Sequence, residues 1–451
     1  MVGLDNEDKK VTDFLGGIHP PYEKRTTEGL RIEKAPLPER VIIPLSQHIG
    51  SPCSPTVKVG DHVRKGDKIG ETSGVVSSPV HTSVSGRVTA IAPFPHPNGR
   101  DVLSIVIESD GKDEWGDGPT ERKDYLRLDP ELLKEIILEA GIVGLGGAAF
   151  PTYVKLNPPK GKKIDTIILN GAECEPYLTA DHRIMAERPD EVVEGLKIFM
   201  RILGVERGFI GVEENKPDAI LNLTKAASNG SVVGIKIKEL EAKYPQGGEK
   251  QLIKAILNRE VPSGGLPMDL GVLVQNVGTA IMVYRAVRFG WPLIERVITI
   301  TGKGIKRPRN LEVRIGTRIS EVIKECGGFS GVPGKVIIGG PMMGMAQYTL
   351  DVPVVKGTTG IIVMPKDSIV FEEDRACIRC GMCVKVCPMG LIPSLLSVYS
   401  ELKQFDDAVQ YRPFDCIECG CCAYVCPSKR PLVQLIRHLK SELSTKRSKA
   451  G

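Results

Sequence analysis

Eight cysteines carry the most specific chemistry in this chain. Cys377-Ile-Arg-Cys380-Gly-Met-Cys383-Val-Lys-Val-Cys387-Pro388 is followed, 39 residues on, by Cys416-Ile-Glu-Cys419-Gly-Cys-Cys422-Ala-Tyr-Val-Cys426-Pro427. The doubled C-x2-C-x2-C-x3-C-P spacing is that of paired 4Fe-4S cubes. Three thiolates at i, i+3 and i+6 in a tight loop reach three irons of one cube. The fourth is carried off on the following helix and is better placed for the other cube. Cys377, Cys380, Cys383 and Cys426 are therefore assigned to one cluster, and Cys416, Cys419, Cys422 and Cys387 to the other. Structural zinc ribbons also use C-x2-C pairs, but zinc explains neither the third cysteine of each run nor the Cys-Pro endings. Cys421 lies off the register and is read as a non-ligand.

A second chemical signal is Gly141-Ile-Val-Gly144-Leu-Gly146-Gly147-Ala-Ala-Phe150-Pro151-Thr152-Tyr-Val-Lys155. Glycines at this density let backbone amides approach a phosphate, and a following helix N-terminus adds its dipole. A dinucleotide fingerprint of the Rossmann type should follow a strand. This loop follows a helix instead, one opened by Asp129 and Pro130 and stopped by Gly141, so that reading is disfavoured.

The elements that must position these groups fall into an α/β multidomain chain. Its 451 residues suffice for three or four domains, with 41% hydrophobic and 25% charged residues as in ordinary globular protein. Net charge is +5 from 60 basic and 55 acidic residues, and only 5% are aromatic, so no nucleic-acid surface is indicated. The basic run Lys440 to Lys449 reads as a solvated, disordered end. The chain has no stretch of 18 apolar residues and five of its first ten residues are charged, which predicts a cytoplasmic protein with no transmembrane segment. Cys53, Cys174, Cys326 and Cys421 are scattered and suggest no disulfide framework.

In chain order, residues 30–115 read as short strands, among them Val41–Leu45, Lys68–Glu71, Gly86–Ile91 and Val102–Ile107. Their phrases resemble the barrel-sandwich of biotinyl and lipoyl carrier domains. Those carriers have a lysine at the hairpin tip; here the tip is Ser73-Gly-Val-Val76, which predicts no lipoyl group. Residues 125–290 alternate strands (Thr166–Leu169, Gly208–Val212, Ser231–Ile237) with helices (Pro189–Leu203, Pro217–Ala227, Gly248–Leu257), the mark of a largely parallel sheet. Residues 295–350 look like a β-grasp domain, residues 358–367 read as a connection, and residues 365–440 form a helical, ferredoxin-like two-cluster domain ending in a helix from about Pro431 to Glu442. Gly339-Gly-Pro-Met-Met-Gly344 reads as a turn with packed methionines and is given no chemistry.

Four segments, Gly141–Leu156, Asn170-Gly-Ala-Glu173-Cys-Glu175-Pro176, Tyr244-Pro-Gln-Gly247-Gly248-Glu249 and Val274-Gln-Asn276-Val-Gly-Thr279, resemble in order the FMN and NADH site of the flavoprotein subunit of respiratory complex I. With the barrel in front and the cysteine runs behind, the whole chain resembles the C subunits of Rnf electron-transport complexes. The resemblance implies that Gly144, Gly146, Gly147, Lys155, Asn170, Asn276 and Thr279 hold non-covalent FMN, with Gly247 beside them. It also implies that Phe150 stacks near the nicotinamide or adenine and that Glu173, Glu175 and Glu249 line the NADH side. Leu145, Ala172 and Gly248 depart from the complex I pattern, where Arg, Asp and Glu are usual.

The implied function is electron transfer in an ion-translocating ferredoxin:NAD oxidoreductase. Hydride is exchanged between NAD(H) and FMN, and single electrons with two 4Fe-4S clusters. The implied partners are other Rnf subunits at the cytoplasmic face of the membrane, with ferredoxin reached through one of them. The alternatives are a flavin/iron–sulfur protein of the cobalamin reductase type, whose module order differs, and a non-enzymatic relay with a decayed flavin site.

Overall fold

A computed structural model describes residues 13–229, 234–370, 373 and 375–450, the last three of these by backbone alone. The N-terminal strands are β1 (Ile32–Lys34), β2 (Arg40–Pro44), β3 (Ser54–Pro55), β4 (His62–Val63), β5 (Lys68–Glu71), β6 (Val80–His81), β7 (Gly86–Pro95) and β8 (Asp101–Ser109). Strands β2-β8-β7-β4 make one antiparallel sheet and β3-β5-β6 the other. Alternation puts Val41 and Ile43 opposite Ile107 and Ile105, and these residues face Val63, Ile69 and Val80 across the sandwich. The tip at Ser73–Val75 is exposed. Strand β1 is not part of this unit: it pairs in parallel with residues 310–312, so the barrel begins near Arg40 rather than at residue 30.

The α/β domain opens with α1 (Pro130–Glu139), whose N-cap Asp129 accepts a 2.9 Å hydrogen bond from the Glu131 amide. Then come α2 (Thr152–Lys155), β9 (Thr166–Gly171), α3 (Ala180–Glu187), α4 (Pro189–Leu203), β10 (Arg207–Glu213), α5 (Pro217–Ser228), β11 (Ile235–Leu240), α6 (Glu249–Leu257), β12 (Val272–Asn276) and α7 (Val277–Phe289). The strand expected over Ser231–Ile237 starts at Ile235; residues 230–233 lie outside the described residues. All four strands are parallel, in the order β11-β10-β9-β12. Both faces are covered by helices, as parallel sheets require.

The third domain contains β13 (Glu295–Thr301), β14 (Arg309–Arg314), α8 (Ile319–Glu325), β15 (Pro333–Ile338), β16 (Met345–Ala346) and β17 (Gly360–Pro365). Its sheet order is β1-β14-β13-β17-β15-β16. The segment read as a connection is thus a central strand, pairing with β13 on one side and β15 on the other. The domain therefore extends past residue 350 to Pro365. Its run Ile361-Ile-Val363 is buried on both faces and lacks the alternation of a half-exposed strand, which is why its sequence does not announce it.

The cysteine domain is held by α9 (Met382–Lys385), α10 (Pro393–Glu401), α11 (Cys421–Tyr424) and α12 (Leu432–Ala450). Left-handed glycines, Gly381 at φ +75° and Gly420 at φ +84°, start α9 and α11 alike. Leu391, Leu396, Ile436, Leu439 and Leu443 form its apolar core. The basic C-terminal run continues α12 as a helix instead of forming a disordered end. Among the described residues no helix is long and apolar enough to cross a membrane.

Helices α4 and α7 pack so closely that a Cβ at Gly195 would stand 2.1 Å from the Ala280 carbonyl oxygen. Gly195→Ala is expected to force these backbones apart at a cost of about 1–3 kcal/mol. The measurement is the thermal midpoint of the purified chain, and an unchanged midpoint would contradict this packing.

Candidate functional site

Strand order reverses between β9 and β12: α3 and α4, which follow β9, share one face of the sheet with α7, which follows β12, while α6, which leads into β12, covers the other face. The carboxyl ends of these two strands meet at the crevice position where ligands bind in open α/β sheets. Asn170 and Asn276 are register partners at that point. The glycine loop, residues 141–150, arrives from α1 and lies over it, with Gly146 against the Asn276 side chain.

Several groups hold the loop in place. Within it, the Gly144 amide donates to the Phe150 carbonyl at 2.8 Å. From α7, the Thr279 hydroxyl accepts from the Leu145 amide at 2.9 Å. From β13, the buried Arg296 guanidinium donates to the Leu145 carbonyl at 3.1 Å and also to the Lys356 carbonyl. From the segment before β17, the buried Lys356 ammonium donates to the Gly141 and Pro79 carbonyls, both at 2.7 Å. Burial pushes Lys356 down to about 7 and Arg296 to about 10. What remains exposed is the backbone of Gly146, Gly147 and Ala148. Gly147 has φ +104°, and the side where its Cβ would lie is open space.

The other expected residues divide. Asn276 caps α7, accepting from the Gly278 amide at 2.8 Å and the Thr279 amide at 3.3 Å, while its own amide donates to Asp181 at 2.7 Å. Asn170 donates to the Gly247 carbonyl at 2.8 Å. Lys155 and Glu249, expected on the phosphate and the nucleotide, pair with each other at 2.7 Å, and Lys155 also donates to the Val274 carbonyl at 3.0 Å. Both side chains are partly exposed, and such pairs contribute only about 0–1 kcal/mol, so the ammonium remains available to an incoming anion.

Two carboxylates expected on the NADH side are committed elsewhere. Glu173, at φ +47°, accepts from the Asp181 and His182 amides at 2.7 and 3.1 Å, satisfying first-turn donors of α3. Glu175 turns toward the third domain and accepts from the Met342 and Met343 amides at 3.0 and 2.9 Å. Burial pushes Glu175 up to about 7 in spite of those bonds. Sequence reasoning missed Asp181, Arg296 and Lys356, which belong to no local motif because each acts through a partner distant in the chain; Tyr244 lies in a segment already singled out, but its own role was not foreseen.

The second cysteine run docks beside this crevice. Tyr244 is buried, and its hydroxyl donates to the Cys419 carbonyl at 2.7 Å. Cys174 accepts from the Gly247 amide at 3.2 Å and packs in one cluster with Tyr244, Cys419 and Cys421. Cys387 of the first run lines the same cavity as Cys416, Cys419 and Cys422. Cys426 of the second run packs with Cys383 of the first. Burial pushes the Cys416 thiol up to about 11, and nearby Cys419 and Cys387 add to the effect. The four thiols around that cavity are the donor type that a 4Fe-4S cube takes, so the donor set fits a cluster. The exposed amides of Gly146 and Gly147 at the switch point likewise fit a phosphate-bearing cofactor.

Comparison with known proteins agrees with this reading. Residues 12–112 match the RnfC barrel sandwich hybrid domain, 137–285 the Nuo51 FMN-binding domain, 297–346 the SLBB domain and 376–429 the 4Fe-4S dicluster domain. The chain is 52% identical over 438 residues to the C subunit of the Na(+)-translocating ferredoxin:NAD(+) oxidoreductase complex of Acetobacterium woodii, covering 97% of this chain and 98% of that one. It is 51% identical to the C subunit of the proton-translocating ferredoxin:NAD(+) oxidoreductase complex of Clostridium ljungdahlii, covering 96% and 94%. It is 45% identical to the C subunit of the ion-translocating oxidoreductase complex of Rhodobacter capsulatus, covering 96% and 84%. A solved NAD+-reducing [NiFe]-hydrogenase shares the fold at TM-score 0.51 and 18% identity, over 69% of this chain and 61% of that one. The fold and the site define a flavin- and iron–sulfur-type electron-transfer protein. This chain belongs to the RnfC family, the C subunits of multi-subunit ion-translocating oxidoreductase complexes.

Asp181 offers a pH test of the site. Burial, then the Glu173 charge, pushes it from 3.8 up to about 7, against the opposing Asn276 bond. Between those values the unfolded chain ionises and the folded one does not, so this carboxyl's contribution to stability is lost as pH rises. Asp181→Asn lacks the effect. Its thermal midpoint is expected to gain on the parent's between pH 5 and 7; a constant difference across that range would refute the assignment.

Proposed function

We propose that this chain is the NAD(H)-reactive electron-transfer subunit of a membrane-associated ferredoxin:NAD(+) oxidoreductase complex. One observation carries the reading: a single loop, Tyr244–Gly247, touches both the switch-point crevice through Asn170 and the second cysteine run through Cys419. Non-covalent FMN, where bound, supplies the exchange between two-electron hydride and single-electron chemistry.

The residues on this chain bind and orient. Gly144, Gly146 and Gly147 present the backbone surface for the cofactor, with Asn170 and Gly247 along the crevice wall. Asn276 and Thr279 act by fixing the loop. Lys155 supplies a cation for the phosphate, with Glu249 as its counter-ion when the site is free. Phe150 is half-buried at the end of the loop, where its ring offers a stacking face to the nicotinamide or adenine. Cys377, Cys380, Cys383 and Cys426 hold one 4Fe-4S cube, and Cys416, Cys419, Cys422 and Cys387 the other. Cys421 packs against Tyr244 and Ile18 and ligates nothing. The third domain keeps a β-grasp form, and the barrel serves as a structural or docking module. The protein sits peripherally on the cytoplasmic face and meets ferredoxin through another member of the complex.

Iron-reconstituted protein supplied with FMN is expected to show NADH-driven bleaching of the flavin. Gly147→Val should abolish flavin retention on gel filtration while leaving iron content unchanged. No flavin uptake by the parent protein at micromolar concentration would overturn the reading. Cys387→Ser is expected to remove the electron paramagnetic resonance signal of one cube and leave the other; loss of neither signal would refute the crossed ligand assignment.

A further inference from the structure

The turn Gly339–Gly344 stands at a junction of three domains. It follows β15, leaves it with Gly339 at φ +95°, and closes with the Gly344 amide donating to the Gly340 carbonyl at 2.8 Å. Its two consecutive amides, Met342 and Met343, both point at the carboxylate of Glu175, one to each oxygen. Above about pH 7, where Glu175 is ionised, a carboxylate bound by two backbone donors is held more strongly than a neutral acceptor. The turn reaches this close only because residue 340 is glycine. A Cβ there would stand 2.1 Å from a Glu175 carboxylate oxygen and 2.6 Å from the Glu175 Cβ.

On its other side the same turn rests on the second cysteine run. A Cβ at Gly420, between Cys419 and Cys421, would stand 3.2 Å from the Met342 carbonyl oxygen and 3.5 Å from its Cε. Met342 packs in the cluster that contains Cys174, Tyr244, Cys419 and Cys421. Behind Glu175, the loop is held by the buried Lys24 ammonium, which donates to the carbonyls of Glu173, Glu175 and Leu178 at 2.8, 2.9 and 2.5 Å. The β9–α3 loop is thus immobilised from below by Lys24 and from above by the turn. The turn in turn seats the loop that carries Cys419.

We infer that Gly339–Gly344 is a latch that sets the spacing between the β9–α3 loop at the cofactor site and the second cysteine run, and that Glu175 is its positioning residue. The inference rests on the proposed function for its purpose, since one-electron transfer weakens steeply with separation. Its structural content does not depend on bound cofactor. Gly340 and Glu175 act together: the glycine admits the carboxylate and the carboxylate fixes the amides. The Met343 side chain is exposed, so only its backbone takes part.

Hydrogen–deuterium exchange on the full chain tests the latch without cofactor. Gly340→Ala and Glu175→Gln are both expected to speed exchange about tenfold at residues 339–344 and also at 416–424, because a lost charge-assisted bond frees both faces of the turn. Met343→Ala keeps the amide and should leave both segments unchanged. Faster exchange confined to 339–344 would overturn the inference, as would no change in either variant. With cofactors loaded, Gly340→Ala should leave NADH-driven flavin bleaching intact and slow the reduction of the clusters. Equal slowing of both would place the turn's effect at the flavin itself rather than between flavin and clusters, and refute the latch. Absence of flavin bleaching in the parent would instead count against the proposed function, leaving the exchange result standing.

Discussion

The crevice between the carboxyl ends of β9 and β12 is the constraint on which the rest of the structure depends. Parallel strands need crossover helices, and where the strand order reverses, the crossover leaving β9 and the one entering β12 lie on opposite faces, leaving the strand ends between them. Here the gap is roofed by a loop that is not part of the sheet's own winding. The loop comes from α1, ahead of the first strand, and cannot be held by strand pairing. Its position is set by side chains from α7, β13 and the segment before β17.

Those anchors are unusual in being buried cations that bind carbonyls. Lys24, Lys356 and Arg296 each direct their donors at backbone oxygens of loops that would otherwise lack partners. Burying an ammonium is costly, and burial pulls the pKa of each below its usual value. The arrangement persists because it satisfies several acceptors with one donor group, which a neutral side chain of similar size cannot do. Its consequence is a rigid cofactor loop whose outer face is bare backbone.

The same economy governs how the modules meet. The barrel contributes Pro79 to Lys356, and the N-terminal segment contributes Ile18 and Lys24 to the Tyr244 and Glu175 loops. Cys387 and Cys426 cross between the two cysteine runs. An electron-transfer chain needs fixed separations between its sites, and here they are bridged by buried side chains bonded to backbone groups of the neighbouring module. The third domain is tied to this geometry through Met342 and Gly420.

The sequence by itself determined the local chemistry. Cysteine spacing, the glycine loop, the Asp129–Pro130 helix start and the boundaries of α4 were legible because each depends on neighbours within a few residues. The parallel α/β order was legible from alternation. Tertiary structure alone decided the rest. Strand β17 is buried on both faces and shows no period. Strand β1 leaves the barrel to pair with β14. Glu173 and Glu175 lie in a segment that resembles an NADH site, yet their partners are amides that only folding brings near, at residues 181–182 and 342–343. Spacing shows which groups can do chemistry; where a carboxylate points depends on which orphan donors the fold places within reach.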